Sequence, residues 1–592
     1  MSTIKNMLHA IRYVVISSPI FTLLKILLTI LLALCPPLLI YITQQLIDEV
    51  NQSPNYFSAW MLFWLLFMLL TILLSTAGSR ASQLFDMHIK RKLFSRVTTD
   101  TIRKYSSIAY QSYENPKYLD IMERIGANPE ETLFDSFTGT MEAVRALITV
   151  MGSAVIFLVL GPVFATSFLL LLIPLFFFNY RSCKIMADMF EHQSADERRM
   201  QYYMGLLSEK QSVFELKVFR AVSYILNRWK ESAGKVLSQR IITTFQAQRY
   251  MIYSIFLYVA WSVYLLFAVI NQTREGIITF GMAIALISAL SSVNANIEDF
   301  IWAYQSLSET LMSVSWYRSF MSIPERKKAG GETIEPSRFE ICFSHVTFTY
   351  PGSDSPTLKD VSFSIQSNEH VALVGRNGSG KSTIVKLLCR LYNPDSGTIT
   401  INGVSLSAIS DETIQELFGI VFQDYGKYKL TLRENVAFGN LSKMDASQDL
   451  LEALEKTDFP KDKMNLEQIY GRLDDNGTDL SGGEWQKIAI SRAYVANRAF
   501  VILDEPTAAL DPMAESDVYE SFQSLMKNKG CMLISHRLAS ARIADRIIVL
   551  DGGQIVQTGN HETLVSETGL YSDMWMLQSS FYQAEDSERS EA

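Results

Sequence analysis

At 592 residues the chain is too long to fold around a single core, so at least two domains are expected. Hydrophobic residues make up 48% of the sequence, which is high for a soluble protein, and most of the apolar excess lies before residue 325. A formal net charge of −8 gives no basic surface for a nucleic-acid partner, and five scattered cysteines without a C-x-x-C pair argue against a disulfide framework or a cysteine metal site.

Six apolar stretches before residue 300 are long enough to cross a lipid bilayer. A spanning helix needs about 20 mostly apolar residues, because hydrocarbon offers no water to satisfy the backbone. The predicted spans are residues 19–46, 56–76, 144–160, 163–180, 250–270 and 277–297. Gly161 and Pro162 separate the third span from the fourth and predict a tight turn between them. The pattern predicts an all-α, six-helix transmembrane domain over residues 1–323.

The distribution of Lys and Arg predicts the orientation of these spans. Neither residue occurs between Lys25 and Arg80 or between Arg145 and Arg181, whereas the segments after the second and fourth spans are rich in both. Because positive charge is retained on the cytoplasmic side, both long connections and both chain ends are predicted to be cytoplasmic. We therefore expect a multi-pass protein of the cell membrane, plasma or inner, in contact with lipid.

The two long connections are amphipathic, so each outgoing helix is predicted to continue beyond the bilayer, break and return. The breaks are predicted at residues 113–116 and 213–217, and we expect them to dock on the second domain. Ordinary solvated helical hairpins are the alternative. Polar residues in or next to the third and sixth spans are candidate cavity residues, although hydrogen bonding between helices or an interfacial position explains them equally well. They are Glu142, Arg145, Ser291, Asn294, Asn296, Glu298 and Asp299.

A change of composition near residue 335 marks the second domain. Residues 324–335 are polar and contain Pro324, Gly330 and Gly331, which is typical of a linker. Beyond them, β-rich runs at residues 343–350, 371–374 and 500–503 alternate with helical stretches, the pattern of an α/β domain. The domain is predicted over residues 336–583, and the charged residues 584–592 are predicted to be disordered.

Residues 375–382 fit the pattern G-x-x-x-x-G-K-[ST], directly after an apolar run and before a helix-like stretch. Glycines let successive backbone N–H groups turn toward one anion, and the helix N-terminus adds partial positive charge. Lys381 would reach the outer phosphates and the Ser382 hydroxyl would bind Mg²⁺. The motif predicts binding of a nucleoside triphosphate. Its predicted binding residues are Gly375, Arg376, Asn377, Gly378, Ser379, Gly380, Lys381, Ser382 and Thr383.

A second acidic motif follows the apolar run at residues 500–503. Asp504 would hold Mg²⁺ and Glu505 would orient and deprotonate an attacking water, the two tasks that hydrolysis by phosphoryl transfer requires. On this run alone, a helix N-cap at Asp504 before Pro506 is an equal alternative.

Between these two motifs stands Leu480-Ser481-Gly482-Gly483-Glu484, which resembles the signature motif of ATP-binding cassette (ABC) transporters. Other residues resemble further motifs of that family in the right order: Tyr350, Gln423, Asp511 and His536. The six-helix half resembles the exporter-type (type IV) transmembrane domain, so the likeness covers nearly the whole chain. The fold class implied is an all-α transmembrane domain followed by an α/β P-loop NTPase domain.

The resemblance implies a role for each matching residue. Tyr350 stacks on adenine; Gln423 joins Ser382 and Asp504 at Mg²⁺; His536 senses the γ-phosphate. With Glu505 as the base and Lys381 on the phosphates, these residues form the catalytic set. In the family, Ser481, Gly482, Gly483, Glu484 and Asp511 belong to the signature and following loop presented to ATP on a second cassette. ATP and Mg²⁺ are the implied cofactors, and a dimer is implied.

Two positions depart from the family pattern: Glu484 stands where glutamine is usual, and Asp475 stands where many exporters have glutamate. Neither change removes a phosphate ligand or the base. Residues 424–430 and 483–487 are similar to exporters of ribosomally made peptides such as lantibiotics. Because every catalytic residue is present in this chain, a homodimer is favoured over a heterodimer.

The predicted function is ATP-driven export of a peptide or amphipathic small molecule by alternating access of a dimer. One alternative is an importer or lipid flippase on the same fold. Another is a nucleotide-gated channel or regulatory subunit without productive turnover, which intact Glu505 and His536 disfavour.

Overall fold

The computed structural model describes residues 2–52, 57–126, 128–160, 162–192, 194–326, 331–335, 338–471, 478–505, 522–535 and 538–578. The chain forms two compact units. One contains residues Met1–Ser107 and Lys117–Ile323, and the other contains residues Ile108–Pro116 and Pro324–Ala592. The short segment Ile108–Pro116, which interrupts the first unit in sequence, therefore belongs to the second.

The first part of the chain is helical. Its helices are α1 (Ser2–Ser17), α2 (Pro19–Gln52), α3 (Ala59–Ser107), α4 (Pro116–Arg124), α5 (Pro129–Leu160), α6 (Pro162–His192), α7 (Ser194–Ser208), α8 (Lys210–Val218), α9 (Val222–Arg274) and α10 (Phe280–Met321). A 3₁₀ turn, Tyr110–Tyr113, lies between α3 and α4.

The predicted spans lie in α2, α3, α5, α6, α9 and α10, with three exceptions. Residues 57–58 precede α3, residues 277–279 precede α10, and residue 56 lies outside the described residues. Among the described residues, four helices are long and apolar enough to cross a membrane by length and composition: α2, α3, residues Phe164–Met186 of α6, and α9. The count of six spans stays a prediction. Gly161, at the predicted tight turn, lies outside the described residues, between the end of α5 and the start of α6.

The predicted break at residues 213–217 was wrong in position, because these residues are helical and belong to α8. The chain turns on both sides of that helix, at Glu209 and at residues 219–221, where Arg220 has φ of +54°. The polar, mixed sequence gave no signal for these turns. The predicted break at residues 113–116 does fall at a turn, between the 3₁₀ turn and α4.

Apolar side chains and a largely buried ion pair help to pack the helical unit. Phe157, Phe168 and Trp261 form an aromatic group at the centre of a buried cluster. Buried Lys25 of α2 donates to Asp86 of α3 at 2.6 Å. Because a buried charge is costly unless it is paired, this contact fixes how α2 and α3 pack.

The second unit is α/β. Its strands are β1 (Glu340–Phe348), β2 (Leu358–Gln366), β3 (His370–Gly375), β4 (Ser396–Ile401), β5 (Val404–Ser405), β6 (Phe418–Val421), β7 (Phe500–Asp504), β8 (Gly530–Ile534), β9 (Arg546–Asp551) and β10 (Gln554–Gly559). Its helices are α11 (Lys381–Leu388), α12 (Asp411–Leu417), α13 (Leu432–Ala437), α14 (Ser447–Lys456), α15 (Gly482–Ala496), α16 (Leu538–Ala541) and α17 (His561–Ser566).

Two sheets build this unit. One is antiparallel, in the order β2-β1-β4-β5, and the other has the order β10-β9-β3-β8-β7-β6. Within the second sheet, β9, β3, β8, β7 and β6 are parallel, so their carboxyl ends share one edge. Ligands of parallel sheets bind outside the carboxyl ends of the strands, and this edge is where the predicted motifs converge.

Candidate functional site

The phosphate-binding loop connects the carboxyl end of β3 to α11, as the motif predicts. Gly375 has φ of +152°, and a Cβ there would lie 2.1 Å from the Leu550 carbonyl oxygen. Gly380 caps α11 with φ of +103°. No residue with a side chain fits either position without strain. The loop therefore brings the main chain, with its N–H groups, to the start of a helix.

Lys381 and Ser379 line the inside of this loop. The Lys381 Nζ donates to the Gly375 and Arg376 carbonyl oxygens at 2.9 and 3.1 Å. Burial lowers the pKa of Lys381, and the carboxylates of Glu505 and Asp504 oppose that shift. The Ser379 hydroxyl is buried, and it has no hydrogen-bond partner among the described residues. A buried cation and an unpaired hydroxyl at the N-terminus of α11 fit an anion such as a triphosphate.

Asp504, the last residue of β7, faces the first turn of α11. The Ser382 hydroxyl donates to its Oδ1 at 3.1 Å. Burial raises the pKa of Asp504, the hydrogen bond from Ser382 lowers it, and Glu505 beside it raises it. Paired hydroxyl and carboxylate oxygens next to a phosphate loop are the donor set that Mg²⁺ takes in nucleotide sites, so the residues present fit that ion.

Glu505 follows β7 in a strained backbone conformation. Its φ is +45°, in the left-handed region that residues with a side chain rarely adopt, and its N–H donates to the Ile534 carbonyl oxygen at 3.0 Å. Such strain persists only where surrounding structure enforces it, and it is common at active sites. This conformation was not predicted, because glutamate has no local preference for positive φ.

Two further predicted residues lie around the same edge. Gln423 is exposed and stands two residues beyond β6, whose Val421 is in register with Leu503 of β7. The Tyr350 hydroxyl lies 3.0 Å from the Thr383 hydroxyl of α11, and Lys386 Nζ lies 5.1 Å from the centre of the Tyr350 ring. Tyr350 therefore lies beside the first turns of α11, and Gln423 follows the strand next to β7. Asp511 and His536 lie outside the described residues. Ser535, which directly precedes His536, lies at the same edge, where its N–H donates to the Leu373 carbonyl oxygen.

The predicted signature residues begin α15. Ser481 is the N-cap: its hydroxyl accepts from the Glu484 N–H at 3.3 Å, and the Glu484 carboxylate accepts from the Ser481 N–H at 2.8 Å. This capping box leaves the N–H groups of Gly482 and Gly483 as the first-turn donors without an intrahelical acceptor. The two glycines therefore offer N–H groups at the start of α15, whereas the Ser481 N–H is already bonded to Glu484.

Comparison with known proteins identifies the family. Residues 358–508 match the ABC transporter family model. The chain is 30% identical over 561 residues to the subtilin transport ATP-binding protein SpaT of Bacillus subtilis, covering 92% of this chain and 90% of that protein. It belongs to the ABC transporter family.

This ABC transporter resembles other members over more than nine-tenths of its length. It is 27% identical over 566 residues to the nisin transport ATP-binding protein NisT of Lactococcus lactis subsp. lactis, covering 93% and 92% of the two chains. The structure of a bacterial Atm1-family ABC exporter with ATP bound shares its fold, with a TM-score of 0.78, 20% identity, and coverage of 94% of this chain and 98% of that one. The protein is an exporter-type half-transporter, a multi-pass membrane protein that couples ATP hydrolysis to transport.

The segment Ile108–Pro116 contains the break that was predicted to dock on the second domain, and it packs within this ABC transporter's nucleotide-binding unit, but its partners there were not predicted. Glu114, in the segment Ile108–Pro116, lies 3.5 Å from Lys386 of α11, and Tyr110 packs edge-on against Tyr392 at 5.7 Å between ring centres. Tyr392 in turn packs against Tyr350 at 5.3 Å. These partners are far apart in sequence, so no local pattern could have paired them.

Proposed function

We propose that this unit binds Mg²⁺ and ATP at the carboxyl edge of the parallel sheet and hydrolyses the γ-phosphate. Residues 375–383 hold the phosphates, Tyr350 stacks on the adenine, and Ser382, Asp504 and Gln423 surround the metal. Glu505 is the general base and His536 the γ-phosphate sensor. The observation that carries the proposal is the convergence of the phosphate loop, the Ser382–Asp504 pair and strained Glu505 at one edge.

We propose further that two copies of this chain form the working transporter. The N-terminus of α15 is a second anion site in the same unit, and in the family it serves the ATP held by another cassette. Residues 481–484 and Asp511 would therefore complete the site of the partner copy. Since one chain carries a full catalytic set, two identical copies suffice for two competent sites.

Exposed apolar side chains support a docking role for the second connection. Phe214 and Phe219, on and directly after α8, are 70% and 75% exposed. The nucleotide-binding unit has a groove of about 670 Å³ whose lining includes Phe422, Tyr428 and Phe438. We propose that α8 docks in this groove of a partner copy and transmits the motion of ATP binding and hydrolysis to the spans. Crosslinks from Phe214→Cys that reach only other membrane helices would refute the docking.

The proposed substrate is a peptide, exported from the cytoplasm with the nucleotide-binding unit on the cytoplasmic side. Two full-length relatives are named as transporters of subtilin and nisin, which are peptides. The function is tested with the full chain in lipid nanodiscs, where we expect nisin or subtilin to stimulate ATPase activity. Stimulation by lipids alone would favour a flippase, and ATP-dependent uptake into right-side-out vesicles would favour an importer.

The catalytic assignment is tested with Glu505→Gln. Removing the base should abolish hydrolysis, by at least about 100-fold, while ATP binding is retained, because the phosphate and metal ligands are untouched. Exposed Glu412→Gln, on α12, is the matched control and should hydrolyse ATP like the wild type. Hydrolysis at the wild-type rate by Glu505→Gln would overturn the assignment, and no hydrolysis by the wild type would favour a regulatory subunit.

A further inference from the structure

The carboxylate of Glu484 makes two charged or polar contacts in the first turn of α15. Its Oε2 accepts from the Ser481 N–H at 2.8 Å, and its Oε1 accepts from Lys463 Nζ at 2.5 Å. Both side chains are largely covered, with exposed fractions of 17% for Glu484 and 33% for Lys463. Lys463 comes from a separate turn, Lys461–Lys463, that lies 21 residues earlier in the chain.

The position of this carboxylate creates an electrostatic conflict. Under the proposed function, the N-terminus of α15 must receive the triphosphate of a partner copy, yet Glu484 places a negative charge in that same turn. The carboxylate and the triphosphate are both negative, and like charges repel strongly at an interface that excludes water. A neutral glutamine, usual at this position in the family, would not have this effect.

Lys463 is positioned to neutralise the negative charge of Glu484. The Tyr470 hydroxyl donates to the Lys463 carbonyl oxygen at 2.6 Å and fixes the backbone of the lysine. Burial alone would raise the pKa of Glu484, but the hydrogen bonds from Lys463 and Ser481 lower it, so the carboxylate stays ionised. The hydrogen bond to Glu484 raises the pKa of Lys463, so the lysine stays charged as well.

We propose that Lys463 is a positioning residue of the nucleotide site: by neutralising Glu484 it allows the signature turn to accept the partner's triphosphate. The proposal rests on the proposed composite ATP site and deepens it. Lys463 acts through Glu484 and is not assigned a contact with ATP.

A double-mutant cycle on the full chain in nanodiscs tests this. Lys463→Met leaves the carboxylate unneutralised, and we expect kcat/KM for ATP to fall about 5- to 20-fold, mostly through a higher KM. Glu484→Gln, which removes the negative charge from the signature turn, is measured as the reference for the second half of the cycle. In the Glu484→Gln background, adding Lys463→Met should cost less than twofold, because no charge remains to neutralise. Lys463→Arg should restore most of the activity.

The control and the outcomes separate this inference from the proposed function. Lys461→Met removes an exposed lysine of the same turn and should leave KM unchanged. An equal loss on Lys463→Met in both backgrounds would show a purely structural role and overturn the inference, as would an unchanged KM in Lys463→Met. An inactive wild type would instead overturn the proposed function itself.

Discussion

The Tyr425 hydroxyl donates to the Gly482 carbonyl oxygen at 2.9 Å and so joins the segment after Gln423 to the first turn of α15. Arg492 of the same helix reinforces the connection, since its guanidinium donates to the Gly426 carbonyl oxygen at 3.0 Å. Gln423 belongs to the metal site proposed for its own copy, whereas the start of α15 is proposed to serve the partner's ATP. One hydrogen bond therefore links the segment that follows Gln423 of one proposed site to the helix start proposed to serve the other.

Loss of this hydrogen bond should weaken the coupling between the two sites. We expect Tyr425→Phe to bind ATP normally but to hydrolyse it about 2- to 5-fold more slowly, because a neutral hydrogen bond contributes about 1 kcal/mol. Equilibrium ATP binding and steady-state ATPase rates check this. Tyr202→Phe, at a 63% exposed position in the helical unit, is the control. Equal rates in Tyr425→Phe and wild type would show that the bond plays no part in turnover.

The buried charge of Asp504 predicts a trade-off between stability and activity. Burial holds its pKa above the value in the unfolded chain, so the folded state binds this proton more tightly. The bound proton stabilises the folded state below the unfolded pKa, and this stabilisation is lost as pH rises through the folded pKa. At neutral pH the buried negative charge therefore destabilises the folded state in full. Removing the charge should stabilise the nucleotide-free protein while destroying the metal site.

Asp504→Asn measures both sides of that trade-off. We expect the melting temperature of the nucleotide-free protein at pH 7 to rise, and each ~1 kcal/mol of relief would raise it by about 2–4 °C in a domain of this size. ATPase activity should be lost. The increase should shrink at acidic pH, where the wild-type carboxyl is itself protonated. A melting temperature that falls at pH 7 would contradict the assignment of a strained buried charge.

Local sequence signals account for the parts of the molecule that were predicted. The glycine pattern of residues 375–382 specifies a backbone shape that only glycine allows, and the loop at Gly375 and Gly380 has that shape. Apolar runs located the stretches that lie in the long helices, but not where those helices start and end. Helix α5, for example, begins at Pro129, well before the predicted span at residue 144, because its polar first turns carry no apolar run.

Features that depend on distant partners were not predictable from the sequence. Glu484 was recognised as a departure from the family, yet its neutralising partner Lys463 is 21 residues away and has no motif of its own. Tyr425 and Gly482 are 57 residues apart. The positive φ of Glu505 arises from the surrounding fold, and glutamate gives no local reason for it. The assignments of Asp511 and His536 stay predictions.

The ion pair between Glu114 and Lys386 predicts a route from the nucleotide to the membrane helices. Glu114 lies in the segment that connects α3 to α4, and Lys386 Nζ lies 3.5 Å from its carboxylate and 5.1 Å from the centre of the Tyr350 ring. If adenine stacks on Tyr350, the same lysine is in contact with both the base-binding ring and the connection. We therefore expect binding or release of the adenine to affect Glu114 through Lys386.

Glu114→Gln should disconnect ATP hydrolysis from transport without impairing hydrolysis itself. We expect basal ATPase activity within about twofold of wild type, because the partly exposed pair contributes at most about 1 kcal/mol, and a clear loss of peptide-stimulated activity. Glu123→Gln, on α4 in the helical unit, is the matched control. Because the connection would transmit motion rather than bind ATP, KM for ATP should stay unchanged. A raised KM with intact stimulation would instead place Glu114 in nucleotide binding and refute the route.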